Sequence, residues 1–253
     1  MKRLTIAILT GLMSASGWSA CNFNFDTTSA FLTFYRPGYV DFPSLVGQTT
    51  SASIEPTTSL LNVKKYLAGN AKDIAYLKKG IVLQPQGIFA FEYKFKVPAT
   101  ALPNNEFLTT SLNKAVMYYF TGIPLPPINY LVEYQNNAGE FTNNVGFVLN
   151  MFGGGISFPV TSTPDGYQRI GIYINQDAKQ IGVIYNGVDK GYFPNGAPVK
   201  IKSITFENAM EYGGINSNSP TIGKDVSIEL ITDKNQFQFT YPVGTMDICG
   251  NSI

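Results

Sequence analysis

The sequence predicts an all-β protein, a single antiparallel β-sandwich over residues 21–253. Three observations carry this expectation. In "FAFEYKFKV", Phe89, Phe91, Tyr93, Phe95 and Val97 fall on one side, and Ala90, Glu92, Lys94 and Lys96 on the other. That period of two marks an antiparallel strand with one dry and one wet face. In "IGVIYNGVDKG", Asn186-Gly187 sits between two short apolar runs and supplies the two positive-φ positions of a type I′ hairpin turn. Beyond residue 20 the chain is rich in Tyr, Phe, Ile, Val, Thr, Asn and Gly, which is the chemistry of strands and turns.

Taken in order, the elements begin with an export signal at residues 1–20. Lys2 and Arg3 precede the apolar stretch Leu4 to Met13, and small residues follow to Ala20. The apolar part is too short to span a bilayer as a helix. A cut after Gly17 fits the small-residue pattern better than one after Ala20, because Trp18 is bulky. A cut after Ala20 makes Cys21 the first mature residue and opens it to lipid modification. The segment Trp-Ser-Ala-Cys departs from the Leu-Ala-Gly-Cys type of lipoprotein signal. The competing use of the same sulfur is a disulfide to Cys249, the second of two cysteines. The disulfide is the preferred reading, and it would close a loop worth roughly 5 kcal/mol in the chain-entropy model.

Between Ser59 and Gly80, the residues Leu60, Leu61, Val63, Tyr66 and Leu67 are compatible with a short helix interrupted at Gly69-Asn70. After "FAFEYKFKV", Pro98 ends the strand. "NYLVEYQ" reads as a strand leading into a turn at Asn136 to Gly139. "VGFVLNM" places Val145, Phe147, Leu149 and Met151 on one face. "RIGIYIN" alternates Ile170, Ile172 and Ile174 against Arg169, Gly171 and Tyr173. Later strands are "VKIKSITFE", "VSIELIT" and "FQFTYPV"; "GIPLPPINY" and "GGINSNSP" read as loops. Short strands separated by turn signals indicate a sandwich or barrel.

The composition excludes several function classes. With Lys2 and Arg3 removed from the 18 basic residues, 16 remain against 17 acidic ones. No basic run suggests nucleic acid, and no basic amphipathic helix suggests a membrane surface. There is no histidine, which removes the usual Ser-His-Asp and Cys-His catalysis and the commonest zinc ligand. No G-x-S-x-G elbow is present, and Gly153-Gly154-Gly155 lacks the Lys-Ser or Lys-Thr of a phosphate loop.

The stretch Gly166 to Phe193, "GYQRIGIYINQDAKQIGVIYNGVDKGYF", resembles the paired strands of concanavalin A-like jelly-roll sandwiches, including laminin-G-like and SPRY-like domains. "FAFEYKFKV" looks like an early strand of that fold. The plan of a signal, Cys-Asn-Phe and a late Cys also resembles an uncharacterised family of exported Acinetobacter proteins. The superfamily resemblance implies lectins and glucanases, and glucanases of this type carry Glu-x-Asp-x-x-Glu on one strand. Here no two acidic residues lie two apart; the nearest spacing is four, as in Glu207 and Glu211. Four strand residues span about 13 Å, too far for a glycosidase pair unless the segment is helical or the partner carboxylate comes from another strand. The expectation is therefore a non-catalytic, secreted, lectin-like module that binds a glycan or cell-surface polymer. The alternative is an envelope structural or adhesin-like protein that meets another protein; a glycan-cleaving enzyme is the third reading, set behind these two by the carboxylate spacing.

Sugar sites combine an aromatic platform with amide, carboxylate and backbone hydrogen bonds. The wet strand faces offer Glu133, Gln135, Arg169 and Tyr173. The loops offer Asn136, Asn137, Asn143, Asn144, Glu211, Tyr212 and Asn216. No cofactor is required, although calcium has candidate oxygens in Asp165, Asp177, Asp189 and the Asn-rich loops.

Overall fold

The computed structural model describes residues 21, 23–25, 37–57, 62–69, 81–98, 100, 102–103, 106–119, 128–137, 144–149, 154–193 and 200–253. The expected signal at residues 1–20 lies outside them. In chain order the strands are β1 (Val40–Asp41), β2 (Ser44–Val46), β3 (Thr49–Ser53), β4 (Lys64–Gly69), β5 (Ile81–Val82), β6 (Ile88–Lys96), β7 (Phe107–Tyr119) and β8 (Ile128–Asn137). They continue with β9 (Asn144–Leu149), β10 (Gly154–Pro159), β11 (Tyr167–Asn175), β12 (Gln180–Tyr185), β13 (Val188–Tyr192), β14 (Ile201–Gly213), β15 (Asp225–Ile231) and β16 (Thr245–Asp247).

These strands form two sheets. The front sheet runs β1-β4-β14-β7-β8-β9-β10, with β5 also on β14. The back sheet runs β13-β12-β11-β6-β15-β3-β2, with β16 also on β6. All pairs are antiparallel except β1 on β4 and β16 on β6. The all-β antiparallel sandwich expected from the sequence is the observed fold.

Alternation builds the core between the layers. Phe89, Phe91, Tyr93, Phe95 and Val97 are buried with Ile170, Ile172 and Ile174 of β11 and with Ile204, Phe206 and Met210 of β14. Phe91 of the back sheet meets Phe206 of the front sheet edge-on, ring centroids 5.1 Å apart. Fully burying one such side chain contributes about 1.5–3 kcal/mol. The Asn186-Gly187 hairpin is present, with φ of 47° and 84° at its two central residues, and it pairs Tyr185 with Val188.

Two local expectations change. The segment considered for a short helix is strand β4 from Lys64 to Gly69, paired antiparallel with β14; Leu60 and Leu61 lie outside the described residues. "FQFTYPV" is not a strand. It follows a 3-10 turn at Lys234–Gln236 and lies across the outer face of the back sheet. There Phe237, Phe239 and Tyr241 pack with Ala90, Tyr173 and Ile184.

The reason is a buried carboxylate. Glu92 is 0% exposed and accepts from Gln238 N at 3.0 Å, Phe239 N at 3.1 Å and Tyr241 Oη at 3.1 Å. Arg169 Nε pairs with Glu92, and its Nη2 donates to Gln236 O at 2.6 Å. These bonds satisfy backbone donors that a strand would have placed in a ladder. Gly171 makes room for the crossing: a Cβ there would lie 2.4 Å from Tyr241 Oη and 2.6 Å from Phe239 Cδ2.

The disulfide joins Cys21 to Cys249, with Cα atoms 5.7 Å apart and a sequence separation of 228. The Cys21 sulfur is thus committed to this bond rather than to a lipid. Beside it, Asp247 accepts from Cys249 N and Asn251 N at 2.9 Å each, closing the turn that carries the second cysteine.

Candidate functional site

The outer face of the front sheet is assembled by register. Directly paired residues on neighbouring strands occupy the same face of a sheet. One row runs Lys65, Glu211, Thr109, Gln135 and Asn144 across β4, β14, β7, β8 and β9. The next runs Leu67, Ala209, Ser111, Glu133, Gly146 and Ser157. A third holds Gly69, Glu207, Lys114 and Leu131. A bulge in β7 between Ser111 and Asn113 inserts one extra residue against β8, which keeps Lys114 in line with Glu207.

An aromatic ring borders these rows. Tyr39 packs over Leu67 and Ala209. Lys65 Nζ lies 5.5 Å from the Tyr39 ring centroid and 3.7 Å from Glu211 Oε2. Both Lys65 and Glu211 remain partly exposed, at 33% and 31%. An aromatic face beside a half-solvated ion pair, followed by a row of hydroxyl and amide residues, can take the apolar side and the hydroxyls of a sugar ring together.

The sequence-predicted residues divide sharply. Glu133, Gln135, Asn137, Asn144 and Glu211 fall in register on this face. Asn136 and Tyr212 do not. Each neighbours a face residue, and alternation therefore turns it inward, where it is 0% exposed. Asn136 Oδ1 accepts from Leu102 N at 3.1 Å, and its Nδ2 donates to Thr100 O at 3.0 Å and Tyr134 Oη at 2.8 Å. Tyr212 Oη accepts from Glu55 N at 3.3 Å. Burial raises the phenol pKa of Tyr134 and Tyr212 well above the ordinary tyrosine value. Asn136 and Asn137 belong to β8 rather than to the expected turn.

Arg169 and Tyr173 are corrected as well. They sit on the back sheet under the crossing C-terminal segment, 9% and 2% exposed. Asn216 is exposed but far along its own turn, accepting from Asn218 N at 3.0 Å. Asn143 lies outside the described residues. The three candidate calcium carboxylates serve separate turns: Asp165 accepts from Tyr167 N, Asp177 from Gly87 N and Asp189 from Gly191 N.

Sequence reasoning missed Tyr39, Lys65 and Glu207. Lys65 and Glu207 were findable from alternation along β4 and β14. Tyr39 was not, because its place depends on a loop folding back onto a strand distant in sequence.

Among known proteins, a family model described as a domain of unknown function (DUF4882) matches residues 138–251. No curated protein matches. Similar solved structures include the PL7 alginate lyase AlyA1 from Zobellia galactanivorans, at 11% identity and a TM-score of 0.34 over 59% of this chain and 62% of that one. The chain thus spans less than two thirds of that lyase's length. The carbohydrate recognition domain of Emp46p gives 8% identity and a TM-score of 0.43 over 73% and 88%. A Bacillus licheniformis β-glucanase gives 12% and 0.37 over 74% and 78%. An Acinetobacter origin finds no support in these likenesses.

The expectation that the chain is not an enzyme is corrected here. Similar structures include alginate lyases and a β-glucanase, so the fold gives no support to a non-enzyme. Along one strand the acidic residues are too widely spaced to form a pair, which leaves only partners from neighbouring strands. The sheet brings Glu133 from β8 onto the face that holds Glu207 and Glu211, with Cα separations of about 12 Å from strand spacing and rise.

Proposed function

We propose that the outer face of the front sheet recognises a polysaccharide in an extracytoplasmic compartment. The observation that carries this reading is the Tyr39 ring set against the Lys65–Glu211 pair, in register with Thr109, Gln135 and Asn144. The Cys21–Cys249 disulfide supports an oxidising environment. Within the described residues no helix is long and apolar enough to cross a membrane.

The test is a glycan array with the purified protein, followed by titration of the best hit. Saturable binding that is lost in Tyr39→Ala and in Glu211→Ala is the expected result. Silence across a broad array sinks the reading and favours a protein partner in the envelope.

The three glutamates on one face favour a second reading, cleavage of the bound glycan. Release of new chain ends, abolished by Glu133→Gln or Glu207→Gln with binding retained, is the result that supports it.

A further inference from the structure

The back sheet has an outer face of its own, and only part of it is covered. The C-terminal segment lies over Ala90, Glu92, Gly171 and Tyr173. Beyond it the face opens along the row Tyr167, Lys96, Ser227, Ser51 and Ser44. Two depressions, about 630 and 320 Å³, meet there at Lys96 and Asp225.

The charges at this groove are unusual: Lys96 lines both depressions, and Lys94 stands beside them against Tyr167, which lines one. Lys94 and Lys96 are two apart on one strand and therefore share a face, about 7 Å apart at Cα. Like charges so placed repel. Both ammonium groups gather round one ring: Lys94 Nζ is 4.3 Å and Lys96 Nζ 5.8 Å from the Tyr167 centroid, where the negative face of the ring offsets part of the repulsion. Among the described residues neither lysine forms an ion pair. Of the nearby carboxylates, Asp225 takes the Ser53 hydroxyl and Asp165 takes Tyr167 N at 3.1 Å; Glu229 stands in register with Lys94, and Lys94 also acts on Asp165 through space, so part of its charge is offset. A third ammonium, Lys224, donates to Thr100 Oγ1 at 3.2 Å on the same wall.

We propose that this groove is a second binding site, and that it takes a carboxylated saccharide. The paired ammonium groups at Tyr167 receive the carboxylate. The hydroxyls of Ser51, Ser53, Thr161 and Ser162, which line the two depressions, meet the hydroxyls of the sugar. The two joined depressions suit several sugar units rather than a lone ion. This site is independent of the front-sheet reading and lies on the opposite layer.

The test uses the full purified protein, hexagalacturonate as the charged probe and cellohexaose as the neutral one, with binding followed by calorimetry and by backbone amide shifts. Hexagalacturonate binds, and its affinity falls as salt is raised from about 50 to 500 mM. The Lys94→Gln/Lys96→Gln double variant weakens it about tenfold or more, from the loss of charge-assisted bonds. Tyr167→Phe keeps the ring and the affinity, whereas Tyr167→Ala loses several-fold. Amide shifts fall on β6, β11 and the loop at residues 160–166. Tyr39→Ala and Glu211→Ala leave hexagalacturonate binding intact. No binding, binding unchanged in the double lysine variant, shifts confined to the front sheet, or loss in the front-sheet variants would each overturn the proposal. Cellohexaose binding equal to that of hexagalacturonate would overturn it too.

Discussion

The two sheets present outer faces that read alike in sequence and end differently in space. β6 and β14 both alternate apolar with polar residues, and both have glutamates on the face turned away from the core. On β14, Glu207 and Glu211 stay partly exposed. On β6, Glu92 is fully buried beneath residues 237–241. The same residue type at an equivalent strand position therefore holds a cover in place on one sheet and faces outward on the other. Exposure of a strand residue is decided by what crosses the sheet, and alternation says nothing of that.

The largest effect is expected from the staple that anchors the covered side. Replacing Cys21 and Cys249 together with serine lowers stability by roughly 5 kcal/mol in the chain-entropy model, read as a shift in the urea midpoint. An unchanged midpoint would mean that the cover is held without it. Next comes Glu92→Ala. It leaves the buried Arg169 without its partner and three donors of the crossing segment unbound. The expected loss is about 3–5 kcal/mol, with faster amide exchange at Gln238 and Phe239. Glycan binding at the front sheet should survive under conditions where the variant is folded.

Gly171→Ala tests the same cover by steric means. The new Cβ meets Tyr241 and Phe239, and the segment must lift, at a cost of about 1–3 kcal/mol. The same substitution at an open position of the front face should cost far less.

Alkaline pH loads both sides of the molecule. Burial raises the folded-state pKa of Tyr134, Tyr185 and Tyr241 above the ordinary 10.0. A raised folded pKa gives stability that is complete below the unfolded value and is lost as pH rises beyond it. The protein should hold its midpoint up to about pH 10 and lose stability above it. Absorbance near 295 nm should show these phenols ionising only as the chain unfolds.

The smallest effect on stability is expected where function is proposed. Tyr39→Ala and Glu211→Ala touch a partly exposed pair and an edge ring, and should move the midpoint by about 1 kcal/mol or less while removing glycan binding at the front sheet. Stability loss that matches the loss of binding would make them structural residues.

How much was legible in the sequence can be seen residue by residue. The strand at Phe89 to Lys96, the Asn186-Gly187 turn and the pairing of Cys21 with Cys249 follow from local chemistry: period two, positive φ, and an even cysteine count. Of the proposed ligands, Glu133, Gln135, Asn137, Asn144 and Glu211 reached one face because each has the same parity in its own strand. Asn136 and Tyr212 failed by one residue of parity. Arg169 and Tyr173 had the right parity and failed because a distant segment covers them.

Local chemistry sets which side chains share a face within each strand, where the hairpin turns, and that strands with one dry face stack in two layers. These follow from dihedral preferences and a two-residue repeat, and both are local. It takes the folded molecule to show which outer face is covered, that Glu133 stands with Glu207 and Glu211, and that Lys94 and Lys96 gather round Tyr167. Those outcomes depend on register between strands far apart in sequence and on the path of a covering segment, and no local periodicity encodes either.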